Sequence, residues 1–400
     1  MSARRAFSIV IPTRDRPLLL HHAITTALSQ PIDDLEVIVS DNGSGPETAE
    51  VIASFGDPRL RSVRIDEPVS APDSWEFACA EASGEWVTLL SDDDALIPSA
   101  LERVGALVDR GAPGVIAYRK AWYVHPDVEP PWPVAVEANR LTMRPCHGGV
   151  DEVDARSELT RFFRREEREA IPGMSNAVVR RDVLARVRDR AGRLFRNPDP
   201  AAVACAAFLA LEPTYLALEL PLNIEGISRT NVSAGFRDGV EGAGAAVREY
   251  HAEDLFTEAP LRSRTMANAV AESLLRAKRS MPADFEGFEL DLVRYFLSVH
   301  RELTRDRNVE RAGAMSEWRS VLRRCSPQVR RSVRRETARR ALRTGARRIT
   351  PARSRGLAGA GFLDFDGAGH GFSDITSAAR FLDTQVCPGL EDATTPAVPS

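Results

Sequence analysis

An α/β architecture is what this sequence predicts, and three observations predict it. The first 120 residues alternate short β-branched runs with helix-length amphipathic segments, the pattern that builds a mostly parallel sheet flanked by helices. Several of the strand-like runs end abruptly in polar clusters. Residues 239–324 then lose the strand pattern and keep only helical periodicity, as expected of a helical C-terminal region.

The elements follow in order. Strands are expected at 7–11, 35–40, 60–65, 86–90 and 114–118, each a short apolar or alternating run bounded by turn residues. Helices fill the gaps: 17–29 opens on proline, 47–55 follows Gly45-Pro46, and 74–82 stops before Gly84. Residues 121–149, rich in Pro, Trp and His without a sustained period, read as a long surface excursion carrying Trp122, Tyr123 and Trp132. Helices resume at 153–165, 181–191 and 200–211, followed by a strand at 214–220, and the first domain is expected to close near Val232. A helical subdomain, 233–324, contains helices at 266–279 and 290–301. The remainder, 325–400, reads as an Arg-rich helix followed by a Gly-rich, partly disordered tail.

Composition excludes several classes. With 400 residues, 43% hydrophobic and 28% charged, the chain is neither disordered throughout nor a mini-protein. Its net charge of −4 gives no whole-chain signature of a nucleic-acid binder, and no nucleic acid is expected as partner. Between Val321 and Gly356, however, 13 Arg face a single Glu, so this stretch carries +12 and the rest −16. Five scattered cysteines without Cys-x-x-Cys spacing fit reduced thiols and a cytoplasmic location. The apolar run at 7–11 is too short for a signal peptide, and the longest uncharged apolar stretch, 201–211, is far below the roughly 20 residues a bilayer span needs. The seven histidines show no ligand spacing.

Chemistry is expected at the carboxyl ends of the strands, where open parallel sheets bind ligands. Three such ends are polar: Pro12-Thr13-Arg14-Asp15-Arg16, Ser40-Asp41-Asn42-Gly43-Ser44 and Ser91-Asp92-Asp93-Asp94. Asp41-Asn42-Gly43 alone is equally a turn. Three adjacent carboxylates directly after a buried strand repel one another and call for a compensating cation. Hard oxygen ligands favour Mg²⁺ or Mn²⁺, which characteristically bridge one or two carboxylates to phosphates. No P-loop and no dinucleotide fingerprint is present to hold phosphate otherwise.

Those blocks, with Val37-Ile38-Val39 before the second and Ala82-Ser83-Gly84-Glu85-Trp86-Val87-Thr88-Leu89-Leu90 before the third, resemble family 2 glycosyltransferases in order and spacing over about the first 110 residues. The resemblance implies a GT-A (Rossmann-like) fold and a metal-dependent inverting, hexosyltransferase-type enzyme. The donor it implies is a nucleotide-diphosphate sugar, a UDP-sugar first among them, and the acceptor a glycan or lipid-linked hydroxyl in surface polysaccharide or glycolipid assembly. It implies a base contact for Asp41, a nucleoside pocket lined by Pro12, Thr13 and Arg14, and a D-x-D region at Asp92, Asp93 and Asp94. Asp94 takes the place of the usual metal ligand, with Asp92 as a second and Asp93 beside the donor. Ser74 stands where many relatives carry Asn, and Ser91 where the first Asp of the commoner Asp-x-Asp-Asp form lies.

Inverting transfer needs a base for the acceptor hydroxyl. Asp199, in Asn197-Pro198-Asp199-Pro200, matches the family's base in placement and is equally suited to cap the following helix. Glu212 and Asp182 are lesser candidates. The Arg-rich helix carries a thin apolar stripe of Leu322, Val329, Val333, Ala338 and Leu342; it suits peripheral contact with anionic lipid at the inner face of the membrane or a solvated helix paired to acidic patches. Rival readings of the whole are a catalytically inactive nucleotide- or glycan-binding protein and a sugar nucleotidyltransferase.

Overall fold

The structure, a computed structural model, describes residues 7–128, 137–146, 148–230, 255–305, 311–347 and 361–387. Trp132, His147, His251, the expected boundary at Val232 and the final Ala-Thr-Pro end lie outside the described residues.

At the centre stand β1 (Phe7–Thr13), β2 (Leu35–Asn42), β3 (Leu60–Ile65) and β4 (Trp86–Leu89), parallel and in the spatial order 3-2-1-4. Alternation along β1 explains its two-sided burial. Phe7, Ile9 and Ile11 enter one core, and Val10 enters the other across the sheet. The first core is closed by α1 (Pro17–Leu28), α2 (Pro46–Ala53) and α4 (Ala100–Val108); the second by α3 (Ala71–Ala80), α5 (Ala155–Phe163), α6 (Arg181–Ala191) and α7 (Pro200–Leu211). Crossing from β3 to β4, the chain jumps over β1 and β2, so a crevice opens between β1 and β4 at their carboxyl ends.

Beyond β4 the sheet turns mixed. β9 (Ala177–Arg180) runs antiparallel between β4 and β6 (Val115–Val124), and β7 (Arg140–Met143) lies antiparallel on β6. The excursion expected at 121–149 is therefore partly strand: β6 extends six residues beyond the expected end at Tyr118, and β7 returns beside it. Antiparallel neighbours need no crossover helix, so the α/β alternation that signals parallel strands does not report them. Likewise, the helix expected from residue 153 begins at Ala155, after β8 (Val150–Asp154), with Asp154 accepting a cap bond from the Ser157 amide.

The 14-residue β10 (Thr214–Ile227) is the longest strand among the described residues. It pairs parallel with β6, antiparallel with β8, and at Asn223 and Ile224 antiparallel with the short β5 (Ala95–Leu96) that follows the aspartate cluster. Register shifts flank Pro221, whose missing N–H is accommodated at such an irregularity.

Helix α8 (Met266–Ser280) packs on α7, and its Val270, Leu274 and Ala277 share the core of α5–α7. The buried Glu272 carboxylate accepts the amides of Thr257, Glu258 and Ala259 and pairs with Arg276, which fixes the segment leading into α8. A separate small core joins α9 (Leu292–Arg305), α10 (Arg311–Arg324) and α11 (Pro327–Arg347) around Phe296, Trp318, Leu322 and Val333. The Arg-rich helix is thus packed into the helical region across the boundary expected at 324.

Residues 361–387, expected to be Gly-rich tail, return to the sheet. β11 (Leu363–Asp366) pairs with β7, while α12 (Ile375–Phe381) packs on α1. Phe372, Ile375, Ala378, Ala379 and Leu382 join the first core, and Asp383 accepts the Ser99 amide at 3.1 Å. Sparse apolar residues among glycines hide this role in the sequence. Ile375→Ala, which empties a fully buried site on the helix that packs against α1, β5 and β10, is expected to cost about 2–5 kcal/mol, read as a lower denaturation midpoint.

Candidate active site

The three polar strand ends meet. A cavity of about 400 Å³ lies at the crevice between β1 and β4, walled by Pro12, Thr13, Arg14 and Arg16 after β1 and by Ser91, Asp92, Asp93 and Asp94 after β4. Asn42 and Ser74 complete that side; Lys120, Ser175, Asp199 and Glu225 line the other, and Trp75, Pro198, Pro200, Met266 and Ala269 form an apolar flank.

All three aspartate residues are at most 4% exposed. Asp92 is the best compensated. Thr13 Oγ1 donates to one of its oxygens at 2.7 Å, and Arg16 Nη1 donates to the other at 2.9 Å. The same guanidinium lies 3.7 Å from Asp93, to which Ser228 Oγ also donates at 3.3 Å. Asp94 receives the Gly226 amide at 2.9 Å and Asn223 Nδ2 at 3.3 Å. Burial first, then the neighbouring Asp93 and Glu225 carboxylates, push the Asp94 carboxyl well above the usual carboxylate range, against the pull of Lys120. Burial also raises Asp92, opposed mainly by Arg16.

The backbone is pinned as tightly. His125 Nε2 donates to the Asp93 carbonyl oxygen at 3.1 Å, which assigns the proton to that nitrogen. A Cβ at position 226 would lie 1.8 Å from the same carbonyl oxygen and 2.7 Å from His125 Nε2, so only glycine lets β10 pass here.

Asp199 keeps part of its surface open to the cavity, and its Oδ1 accepts the Ala202 amide at 3.0 Å as the N-cap of α7. Capping is therefore one of its duties. Burial raises its pKa, with the Ala202 amide and the Lys120 ammonium opposing. Lys120 Nζ donates to Ser175 Oγ at 3.0 Å and to Glu225 Oε2 at 3.3 Å. Its pKa is raised: burial lowers it, but Glu225, Asp94 and Asp199 together outweigh that.

Asp41 stands apart from the other sequence-derived residues. Its carboxylate is buried, takes the Ser44 amide at 2.8 Å and pairs with Arg64; it does not wall the cavity, where its neighbour Asn42 does. Asn42 exchanges two hydrogen bonds with Val69 and so anchors the chain between β3 and α3. Glu212 and Asp182 pair with Arg186 beside α6, away from the cavity.

Sequence reading placed Arg16 in a polar strand end without a role of its own, and gave none to Lys120, Asn223 or Glu225. Lys120 did carry a signal: it is one of two lysines among 53 basic residues, and a compact ammonium fits a crowded site that a guanidinium would overfill.

The donor set suits a hard divalent cation. It is all oxygen, the Asp94 charge is incompletely balanced, and Asn223, bonded to Asp94, carries a buried Oδ1 with no hydrogen-bond partner among the described residues. Among the described residues no three acidic, His or Cys side chains form a ready-made cage, so one or two carboxylates would share such an ion with a phosphate ligand.

The family model described as "Glycosyl transferase family 2" matches residues 8–188, which contain β1–β4, both halves of the aspartate turn and β9. Those residues form a family 2 glycosyltransferase domain. Its 107-residue match to the GalNAc(5)-diNAcBac-PP-undecaprenol beta-1,3-glucosyltransferase of Campylobacter jejuni is 34% identical, covering 26% of this chain and 35% of that protein. The Myxococcus xanthus O-antigen biosynthesis protein RfbC matches at 33% over 27% of this chain and 9% of its own length; the Rhizobium meliloti succinoglycan biosynthesis protein ExoO matches at 32% over 20% and 24%. The chain thus spans about a third or less of these curated relatives. Among solved structures, S. aureus TarS 1-349 aligns over 79% of this chain and 90% of that one at 14% identity and a TM-score of 0.43; its complex with UDP-GlcNAc aligns at 12% and 0.46. The family 2 domain here is the mixed α/β sheet with its aspartate turn, followed by helices.

Two outcomes follow from this geometry. Gly226→Ala forces apart β10 and the Asp93 carbonyl and is expected to cost about 1–3 kcal/mol or more in a chemical denaturation curve. Because the Asp94 pKa is higher in the folded than in the unfolded chain, wild type loses stability as pH rises past the ordinary carboxylate range. Asp94→Asn removes that charge, so it is expected to melt above wild type at neutral pH without ligand, the gain fading to nothing by about pH 4.

Proposed function

We propose that this family 2 domain transfers a hexosyl group from a nucleotide-diphosphate sugar, a UDP-sugar in the first instance, to a hydroxyl of a glycan or lipid-linked acceptor, with inversion. The observation that carries this reading is one cavity, at the sheet's switch point, that puts three buried carboxylates and a partly open fourth, Asp199, around a common space. The Campylobacter relative is a glucosyltransferase whose name specifies an undecaprenol-linked glycan, and RfbC and ExoO are polysaccharide biosynthesis proteins; we extend that class of product, surface polysaccharide or glycolipid, to this chain. Work in the cytoplasm, at the inner face of the membrane, belongs to the same reading.

In this scheme Pro12, Thr13, Arg14 and Asn42 receive the nucleoside. Asp41 acts one layer behind, through its hold on Ser44 in the loop after β2 and on Arg64 of β3. Asp94 is the residue that would hold Mg²⁺ or Mn²⁺, with Asp92 the second ligand only where Arg16 and Thr13 yield to it; Asp93 faces the donor. The ion's chemistry is to neutralise charge on the departing diphosphate. Arg16 and Lys120 supply fixed positive charge on two sides of the cavity, which stabilises anionic groups bound between them.

Asp199 takes the acceptor proton. Its raised pKa increases its basicity, and the neighbouring Lys120 ammonium favours the ionised form that a base requires. One capping oxygen is engaged by Ala202, which fixes the carboxylate's orientation. That same bond is what a non-catalytic binding protein would also retain, and turnover separates the two.

A thermal-shift screen of UDP, GDP, CDP and dTDP, each with and without Mn²⁺, tests the reading. One diphosphate is expected to raise the wild-type midpoint only with metal, and Asp94→Asn to abolish that rise. Asp199→Asn is expected to keep it while kcat falls roughly 10²–10⁴-fold, and in wild type the acid limb of kcat/KM should lie above the ordinary carboxylate range. No shift with any nucleotide would overturn the donor site; unchanged turnover in Asp199→Asn would overturn the base.

A further inference from the structure

The Arg-rich helix has two unlike sides. At about 3.6 residues per turn, Val329, Val333, Glu336 and Arg340 of α11 fall together, and Val333 is fully buried and Val329 partly buried against the core built by Phe296, Trp318 and Leu322. Arg331, Arg334, Arg335 and Arg339 fall on the opposite side and are exposed, joined by the exposed Arg323 and Arg324 at the end of α10. Glu336, the single acid of this stretch, sits with Val333 and pairs with Arg339 at 3.8 Å and Arg340 at 3.5 Å. Among the described residues no carboxylate lies within ion-pairing distance of Arg323, Arg324, Arg331, Arg334 or Arg335. Among the described residues the acidic patch that a solvated, internally neutralised helix would need is not at hand.

This arrangement alters the expectation drawn from the sequence. Leu322, Val329 and Val333 of the apolar stripe that suited insertion into lipid are spent on the protein's own core, and over residues 331–339 the outward side offers guanidinium groups with the exposed Ala338 as its one apolar residue. Such a face cannot wedge between acyl chains, but it matches an anionic plane. It also carries no aromatic side chain on which a base could stack, so it lacks the usual single-strand nucleic-acid platform.

We infer that the outward face of α11, with the end of α10, is a non-inserting electrostatic docking surface for an anionic membrane. The choice of lipid over other polyanions rests on the lipid-linked acceptor proposed above; the charge array itself does not. Its position supports the same choice. α11 packs on α9, α9 on α8, and the first turns of α8, at Met266 and Ala269, wall the cavity, so the basic face belongs to the structural unit that borders the apolar flank of the site.

Flotation of the full-length chain on phosphatidylcholine vesicles, with and without about one-third phosphatidylglycerol, is the test. Binding is expected only to the anionic vesicles at about 0.1 M salt, and to be lost at about 0.5 M, since the attraction is screened within a Debye length. Replacing Arg323, Arg324, Arg331, Arg334 and Arg335 by Gln should reduce partitioning roughly a hundredfold or more, with the melting midpoint and the metal-dependent nucleotide shift unchanged. Failure of the nucleotide shift in wild type would strike the donor site and leave this docking face standing. Equal binding to neutral vesicles, persistence at high salt, an unaffected quintuple variant, or binding to random RNA duplex in place of vesicles would each overturn it.

Discussion

Three adjacent carboxylates held out of water at the end of a central strand are the constraint on which the rest of this structure depends. Like charges at such spacing, in a site that excludes solvent, are tolerated only where each is met by donors or by positive charge. Asp92 is met by Thr13 and Arg16 from the end of β1, 79 and 76 residues away. Asp94 is met by the Gly226 amide from 132 residues away, and Asp93 by Ser228. The compensation remains incomplete at Asp94, whose carboxyl is pushed well above the usual carboxylate range by burial and by the Asp93 and Glu225 carboxylates. A site whose own protein leaves it short of positive charge is suited to take a metal and a diphosphate together.

That constraint explains the form of β10. The register shifts around Pro221 redirect the strand, let it pair with β5, and bring Asn223, Glu225 and Gly226 against Asp94 and the Asp93 carbonyl. The absence of a side chain at Gly226 permits the closest of these approaches. Lys120, on the strand paired with β10, then faces Glu225, so the positive charge on this side of the cavity is set by the same pairing that builds the sheet.

Charge is distributed by role as well as by amount. Arginine serves nearly everywhere, in surface pairs and on the outward side of α11, where a broad, always-charged fork is useful and crowding is absent. The cavity holds a lysine among acids, and Arg16 reaches the aspartates only from the open end of the crevice. The helical region is tied to the α/β sheet through the α8–α7 contact, and the first turns of α8 also wall the cavity.

Local sequence determined a large part of this protein. The strand at 60–65 and the helices at 181–191 and 200–211 match the structure residue for residue, because hydrophobic period, proline starts and caps are written within each segment. The polar strand ends that wall the cavity were legible for the same reason, since an apolar run that stops at charged residues marks the mouth of a sheet. Tertiary structure alone decided the rest. Antiparallel β7, β9 and β11 have no crossover signal, and 361–387 join the first core through a few apolar residues spaced among glycines. Lys120, Asn223 and Glu225 meet the aspartate cluster only by long-range pairing, and Asp41, held by Arg64 and Ser44, does not line the cavity. Whether the thin apolar stripe of α11 faces lipid or protein was equally open along the chain: periodicity shows that a face is apolar, and only packing shows what covers it.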